Sequence, residues 1–174
     1  MGQYWIPVNL DKKEFIHPHT LGSGLKAVEQ LNMTPGTQAA LMLLLTAMPE
    51  PRGGGDFDFK DPDTEYRKIA HSVIGRWAGD RIAIVGDYAE PEDLDTRFHA
   101  HRIYGAVCST GLPPEQIRVD WGDEENPITD EELAWMTGWT DISDQVAKVI
   151  EHQFEGFYHG SGWRDFTPHH NTPR

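Results

Sequence analysis

Gln3-Tyr4-Trp5-Ile6-Pro7-Val8-Asn9-Leu10-Asp11-Lys12-Lys13-Glu14-Phe15-Ile16-His17-Pro18-His19 carries the clearest strand pattern of the chain. Tyr4, Ile6, Val8 and Leu10 alternate with Gln3, Trp5, Pro7 and Asn9. That period of two puts successive side chains on opposite faces of a β-strand. Asp11-Lys12-Lys13 reads as a polar turn. Phe15 to His19 then returns as a second strand, with Phe15, His17 and His19 on one face and Ile16 on the other. Pro7 and Pro18 have no N–H to donate, so at each of them a strand has a free side or ends. The expectation is an N-terminal hairpin over residues 3–19.

Downstream, the period changes. Leu21 to Leu31 reads as a short helix with Leu25, Val28 and Leu31 on its inner face and Ser23 as N-cap. The apolar run Ala39 to Met48 has helix-forming residue types, but its length and flanking Pro and Gly also suit a buried central strand, and strand is the reading taken. Pro49 to Pro62 is a loop. Thr64 to Trp77 has an apolar stripe of Tyr66, Ile69, Ala70, Val73, Ile74 and Trp77 at helical spacing. Arg81 to Tyr88 reads as a strand, 97–108 as a short helix, and 109–138 as irregular with a small helix at Asp130 to Met136. Ser143 opens a helix to about residue 154. Phe157 to Phe166 reads as a last strand or hairpin, and 167–174 as a polar tail. A hairpin followed by interleaved helices and strands predicts one α+β domain over 1–174, with a mixed or mainly antiparallel sheet and helices packed on one face.

Composition narrows the function classes. The chain has 174 residues, 38% of them hydrophobic, with six Trp, five Tyr and seven Phe. That composition belongs to a folded domain. Cys108 is the single cysteine, which precludes an internal disulfide, and a buried apolar role is the ordinary one for it. The first residues carry no basic start and no long apolar run, and Ile6 stands where a myristoylation pattern wants Ser or Thr, so a cytoplasmic protein with no membrane attachment is expected. The net charge of −13 would repel a phosphate backbone, so direct nucleic-acid binding is not expected. An acidic imitation of nucleic acid has the right sign, but charge of this size also serves solubility alone. Oligomeric state is not legible.

Two stretches resemble a family of uncharacterised microbial proteins. They are Met1-Gly-Gln-Tyr-Trp-Ile-Pro-Val-Asn-Leu-Asp-Lys-Lys-Glu-Phe15 and Trp77-Ala-Gly-Asp-Arg-Ile-Ala-Ile-Val-Gly-Asp-Tyr-Ala89. The glycine loop at 53–55 and Asp141-Ile-Ser-Asp-Gln-Val146 fit the same pattern. The resemblance implies a shared fold and a shared site, and it carries no activity.

Four groups of residues could carry chemistry. His17 and His19 stand at i, i+2, which on a strand turns both imidazoles to one face where they could share a divalent metal ion. His99 and His101 have the same spacing on a less strand-like segment, where the two rings diverge. The loop Arg52-Gly53-Gly54-Gly55-Asp56-Phe57-Asp58 offers close backbone approach and hard oxygen ligands in Asp56 and Asp58, without the spacing of an EF-hand or a P-loop. Asp87 sits at the carboxyl end of a strand, where α/β sites often place an acid, and Gly86 before it permits a close approach. Trp5 alternates away from the Tyr4, Ile6 and Val8 face. With Trp121, Trp135, Trp139 and Trp163 it makes more indoles than one small core usually absorbs. Surface turns, hydrogen-bonded histidines and core packing account for each group as well.

Two functions follow. The first is a non-catalytic binding or regulatory protein that acts on a protein partner through an acidic, aromatic-rich surface including Trp5, Arg52, the loop glycines and Asp87. The alternative is a metal-dependent, hydrolase-like enzyme in which His17 and His19 ligate the metal and Asp56, Asp58 or Asp87 completes the site or acts as base.

Overall fold

A computed structural model of the chain describes residues 3–32, 35–47, 64–90, 93–94, 100–122 and 127–160, with Thr64 and 154–160 followed through their backbone alone. Strand β1 (Trp5–Asn9) is central. It pairs antiparallel with β2 (Glu14–Phe15), Val8 opposite Phe15 and Asn9 opposite Glu14. On its other side it pairs antiparallel with β3 (Ile82–Gly86), from Trp5 opposite Gly86 to Asn9 opposite Ile82. A two-residue strand β4 (Thr140–Asp141) runs parallel to β2. The sheet order is β3-β1-β2-β4, the mixed sheet of an α+β fold with the expected N-terminal strand pair.

The hairpin turn is made by side chains. Asn9 is fully buried, and its Oδ1 accepts the backbone N–H groups of Asp11 at 3.0 Å and Lys12 at 2.9 Å. This Asx-type turn substitutes for backbone pairing. Lys13 completes the reversal at a positive φ of 53°. Among the described residues it is the one non-glycine residue in that region, and a long unbranched side chain tolerates it better than a β-branched one.

Helices cover both faces of the sheet rather than the expected one. Ile6, Val8, Phe15 and Val85 pack against α4 (Ala100–Cys108), α5 (Pro114–Trp121) and α6 (Asp130–Met136), with Ile103, Val107, Ile117 and Met136 at the centre. Ile16 and Ile82, on the opposite face, pack against α2 (Thr37–Leu45), α3 (Thr64–Val73) and α7 (Ser143–Gly160), with Leu44, Val73, Trp77 and Val146 fully buried among them. The physical reason lies in β1: Pro7 is buried as well as Ile6 and Val8, so both faces remove apolar surface from water.

Several expected elements change. The run at 39–48 is helical over Thr37–Leu45, not a strand. Residues 109–138 hold α5 as well as α6. The helix from Ser143 reaches Gly160, so residues 157–160 are helical rather than extended. The first helix is only α1 (Ala27–Asn32), and its buried side chain is Gln30. Ser23 caps no part of α1; its hydroxyl accepts the N–H of Thr37 at 3.0 Å and so serves the start of α2. Val28 and Leu31, expected to face the core, are 67% and 62% exposed.

Candidate functional site

The two ends of the β1–β3 pair are built from opposite chemistry. At the end nearest the hairpin turn, Asn9 Nδ2 donates to Asp80 Oδ2 at 2.7 Å, and Lys12 Nζ pairs with the same carboxylate. Asp11 accepts from the Arg81 backbone N–H at 2.7 Å and from its Nε at 2.8 Å. The hydrogen bond from Arg81 holds the Asp11 carboxyl below its usual range, and the one from Lys12 does the same for Asp80. Glu14, almost fully buried, accepts Arg76 Nη2 at 2.6 Å, Arg76 Nε at 2.8 Å and the Trp77 indole N–H at 2.9 Å. Burial works against its charge, but the bonds from Arg76 and Trp77 outweigh it and hold the carboxyl low. Thus the stretches Asn9–Phe15 and Trp77–Ile82 meet in one polar lock.

At the other end Trp5 lies against Gly86. A Cβ on Gly86 would stand 2.8 Å from Gln3 Nε2 and 3.2 Å from two ring carbons of Trp5, so the missing side chain gives the indole room against the neighbouring strand. Beyond the indole, an apolar cleft of about 300 Å³ opens between this end of the sheet, α1 and α2. Trp5, Leu31, Thr37, Gln38, Leu41 and Ile84 are among its walls. Ile84 is 51% exposed. Gln30 fixes α1 over the strand end by donating to the carbonyls of Trp5 at 2.8 Å and Leu25 at 3.0 Å. The buried Thr37 hydroxyl has no hydrogen-bond partner among the described residues.

No family model, curated protein or solved structure matches the chain.

The residues singled out in the sequence are not brought together in one site. Trp5 lines the cleft. Asp87 ends the β1–β3 ladder: its Oδ1 accepts the Tyr4 N–H at 2.9 Å while its own N–H donates to the Tyr4 carbonyl at 3.1 Å. Arg52, Gly53, Gly54, Gly55, Asp56, Asp58, His99 and Trp163 lie outside the described residues.

His17 and His19 do not sit on a strand, because β2 stops at Phe15 and residues 18–22 form turns, with the Thr20 N–H donating to the His17 carbonyl at 3.1 Å. Their rings still meet edge-on, with centroids 5.4 Å apart. The His17 N–H donates to Ser143 Oγ at 2.6 Å, and Asp141 accepts the Ser143 N–H at 2.8 Å. Burial pushes the His17 imidazole below its ordinary value and repulsion from His19 adds to this, while Asp141 opposes both. Among the described residues, no group of three or more His, Cys, Asp or Glu side chains is placed to hold a metal ion. Cys108, expected to be a buried apolar residue, is instead exposed at the end of α4; its thiol is still pushed up by partial desolvation, against a hydrogen bond from Tyr104.

Trp139 and Trp77 are core residues, and Trp121 and Trp135 pack against the core beside Tyr104 and Trp139. Sequence reasoning missed the other walls of the cleft, Leu31, Leu41 and Ile84. No local signal marked them: Leu31 falls on the inner face of the expected helix, and only the fold brings Leu41 of α2 and Ile84 of β3 beside Trp5.

Proposed function

We propose that this chain is a non-catalytic binding or regulatory domain whose Trp5 cleft takes an apolar side chain of a protein partner. The observation that carries the reading is the cleft itself, with exposed Leu31 and Ile84 in its walls and exposed Val28 one turn before Leu31 on the same helix. Solvated apolar surface gathered in a concavity, rather than scattered singly, is the feature that protein anchors fill. The net charge of −13 favours a basic partner and disfavours a phosphate backbone. No helix among the described residues is long and apolar enough to cross a membrane. A cytoplasmic setting agrees with the single cysteine.

Photo-crosslinking tests the reading. A benzophenone side chain at Gln38, in the cleft wall, should give one discrete adduct in cells, and the same group at Val119 on α5 should not. The partner, identified and purified, should bind at least about tenfold more weakly to Leu31→Asp, a change at an exposed position. Equal adducts from both positions, or unchanged affinity of Leu31→Asp for the partner, would overturn it.

A further inference from the structure

We propose that the edge of β3 that no other described strand pairs with receives an extended segment of a basic partner as an added strand, with an apolar side chain of that segment seated in the Trp5 cleft. The inference rests on the protein-binding reading above and names the partner's conformation and pattern.

The ladder's phase is fixed by two bonds: Leu10 N–H to the Arg81 carbonyl and Asp87 N–H to the Tyr4 carbonyl, both antiparallel pairs of the β1–β3 register. Ala83 and Val85 therefore exchange bonds with β1, because bonding alternates along an antiparallel pair. Ile82, Ile84 and Gly86 direct their N–H and C=O groups to the other side. The Gly86 carbonyl accepts the Ala89 N–H at 3.2 Å, and β3 has no second strand neighbour among the described residues. The strand's own side chains offer none of the usual protections. Its residues, Ile82-Ala83-Ile84-Val85-Gly86, include no charged side chain and no proline.

The cleft adds a direction to the edge. A residue paired with Ile84 shares its face of the sheet. Ile84 itself lies opposite Pro7, on the face where Trp5 and the cleft lie. An apolar side chain at that paired position is thus presented to the cleft, and its two neighbours point to the opposite face. A row of unpaired backbone groups selects an extended chain rather than a helix. The charge selects the partner over a second copy: two chains of −13 joined along one edge repel, whereas lysine or arginine beside the apolar residue is attracted.

The probe is a blocked, fluorescein-labelled decapeptide of alternating valine and lysine, titrated into the full chain by fluorescence anisotropy. Saturable binding is expected, together with slowed exchange of the Ile82 and Ile84 amide hydrogens. The same peptide N-methylated on every second residue should bind at least about tenfold more weakly. Ile84→Pro should weaken binding at least as much, since it removes an outward N–H together with one apolar wall of the cleft; circular dichroism checks its fold, and the methylated peptide, which leaves the cleft intact, isolates the backbone contribution. Absence of saturable binding by the unmodified peptide overturns the proposal. Equal binding of both peptides, abolished by Leu31→Asp, overturns strand addition and leaves the cleft as a protein-binding surface. A concentration-dependent dimer in sedimentation that Ile84→Pro abolishes overturns it in favour of a second copy.

Discussion

The β1–β3 pair has a locked end and an open end barely five residues apart. At the locked end every polar group of Asn9, Glu14, Asp80 and Arg81 described above has a partner, and the partners come from distant parts of the chain. At the open end the walls are apolar and partly solvated, and the outer backbone groups of β3 face away from the sheet. The difference teaches where this fold spends its specificity. Satisfied buried polar groups fix the register of the hairpin, and with register fixed, one end of the sheet can stay unfilled without sliding.

The largest effect is expected at Glu14. Glu14→Ala leaves the Arg76 guanidinium and the Trp77 indole N–H without their shared acceptor, and urea denaturation should show a loss of about 3 kcal/mol. Asn9→Ala removes the acceptor of two turn amides and the donor to Asp80; about 2 kcal/mol should go in the same measurement. Losses at both positions no larger than a surface substitution gives would deny that the lock exists.

Acid should act on the fold in two separate pH windows. Glu14 is held below its unfolded value of 4.5, so its stabilisation is complete above that pH and is lost as pH falls through the lower folded value. His17 is held below 6.5, so the native state binds fewer protons than the unfolded one. Stability should decline as pH falls below 6.5 and level off once the folded imidazole is protonated. Melting temperature against pH should show both steps in wild type, the upper one flattened in His17→Gln and the lower one in Glu14→Gln.

The smallest effects belong to the open end. Val28→Ser and Leu31→Ser should each change stability by no more than about 0.5 kcal/mol, because both side chains are already solvated. A loss near 2 kcal/mol from either would mean that α1 packs inward and the cleft is not there. The histidine pair gives a separate check. Purified protein should hold far less than one metal ion per chain by elemental analysis, and chelator should leave its melting unchanged. Stoichiometric metal that His17→Gln removes would favour the hydrolase-like reading instead.

The locked end was partly legible. Asp11-Lys12-Lys13 reads as a turn because polar residues interrupt a period-two pattern, and Trp77 reads as core because it closes a helical stripe. That Asp80 and Arg81 clamp this very turn was not legible: adjacent opposite charges are common at helix ends, and only pairing across some 70 positions gives them partners. At the open end, Trp5 was marked by its parity, but its companions were not. Leu31 and Val28 look like core residues on a helix wheel, and only the orientation set by Gln30, anchored to the Trp5 carbonyl, turns them outward. His17 and His19 were read on a strand that stops two residues too soon, since their own turn bonds replace the ladder.

By itself, the sequence determined the α+β class, the hairpin, the strand at 82–86 and the helices whose apolar stripes are long enough to show a period. Those are local properties, set by side-chain alternation and backbone preference within one segment. Tertiary structure alone decided that residues 37–45 are helical, that both sheet faces are covered, and that the apolar surface beside Trp5 is left open. Each of these depends on which distant segments compete to cover the same surface, and burial is a property of the assembled pair rather than of either member.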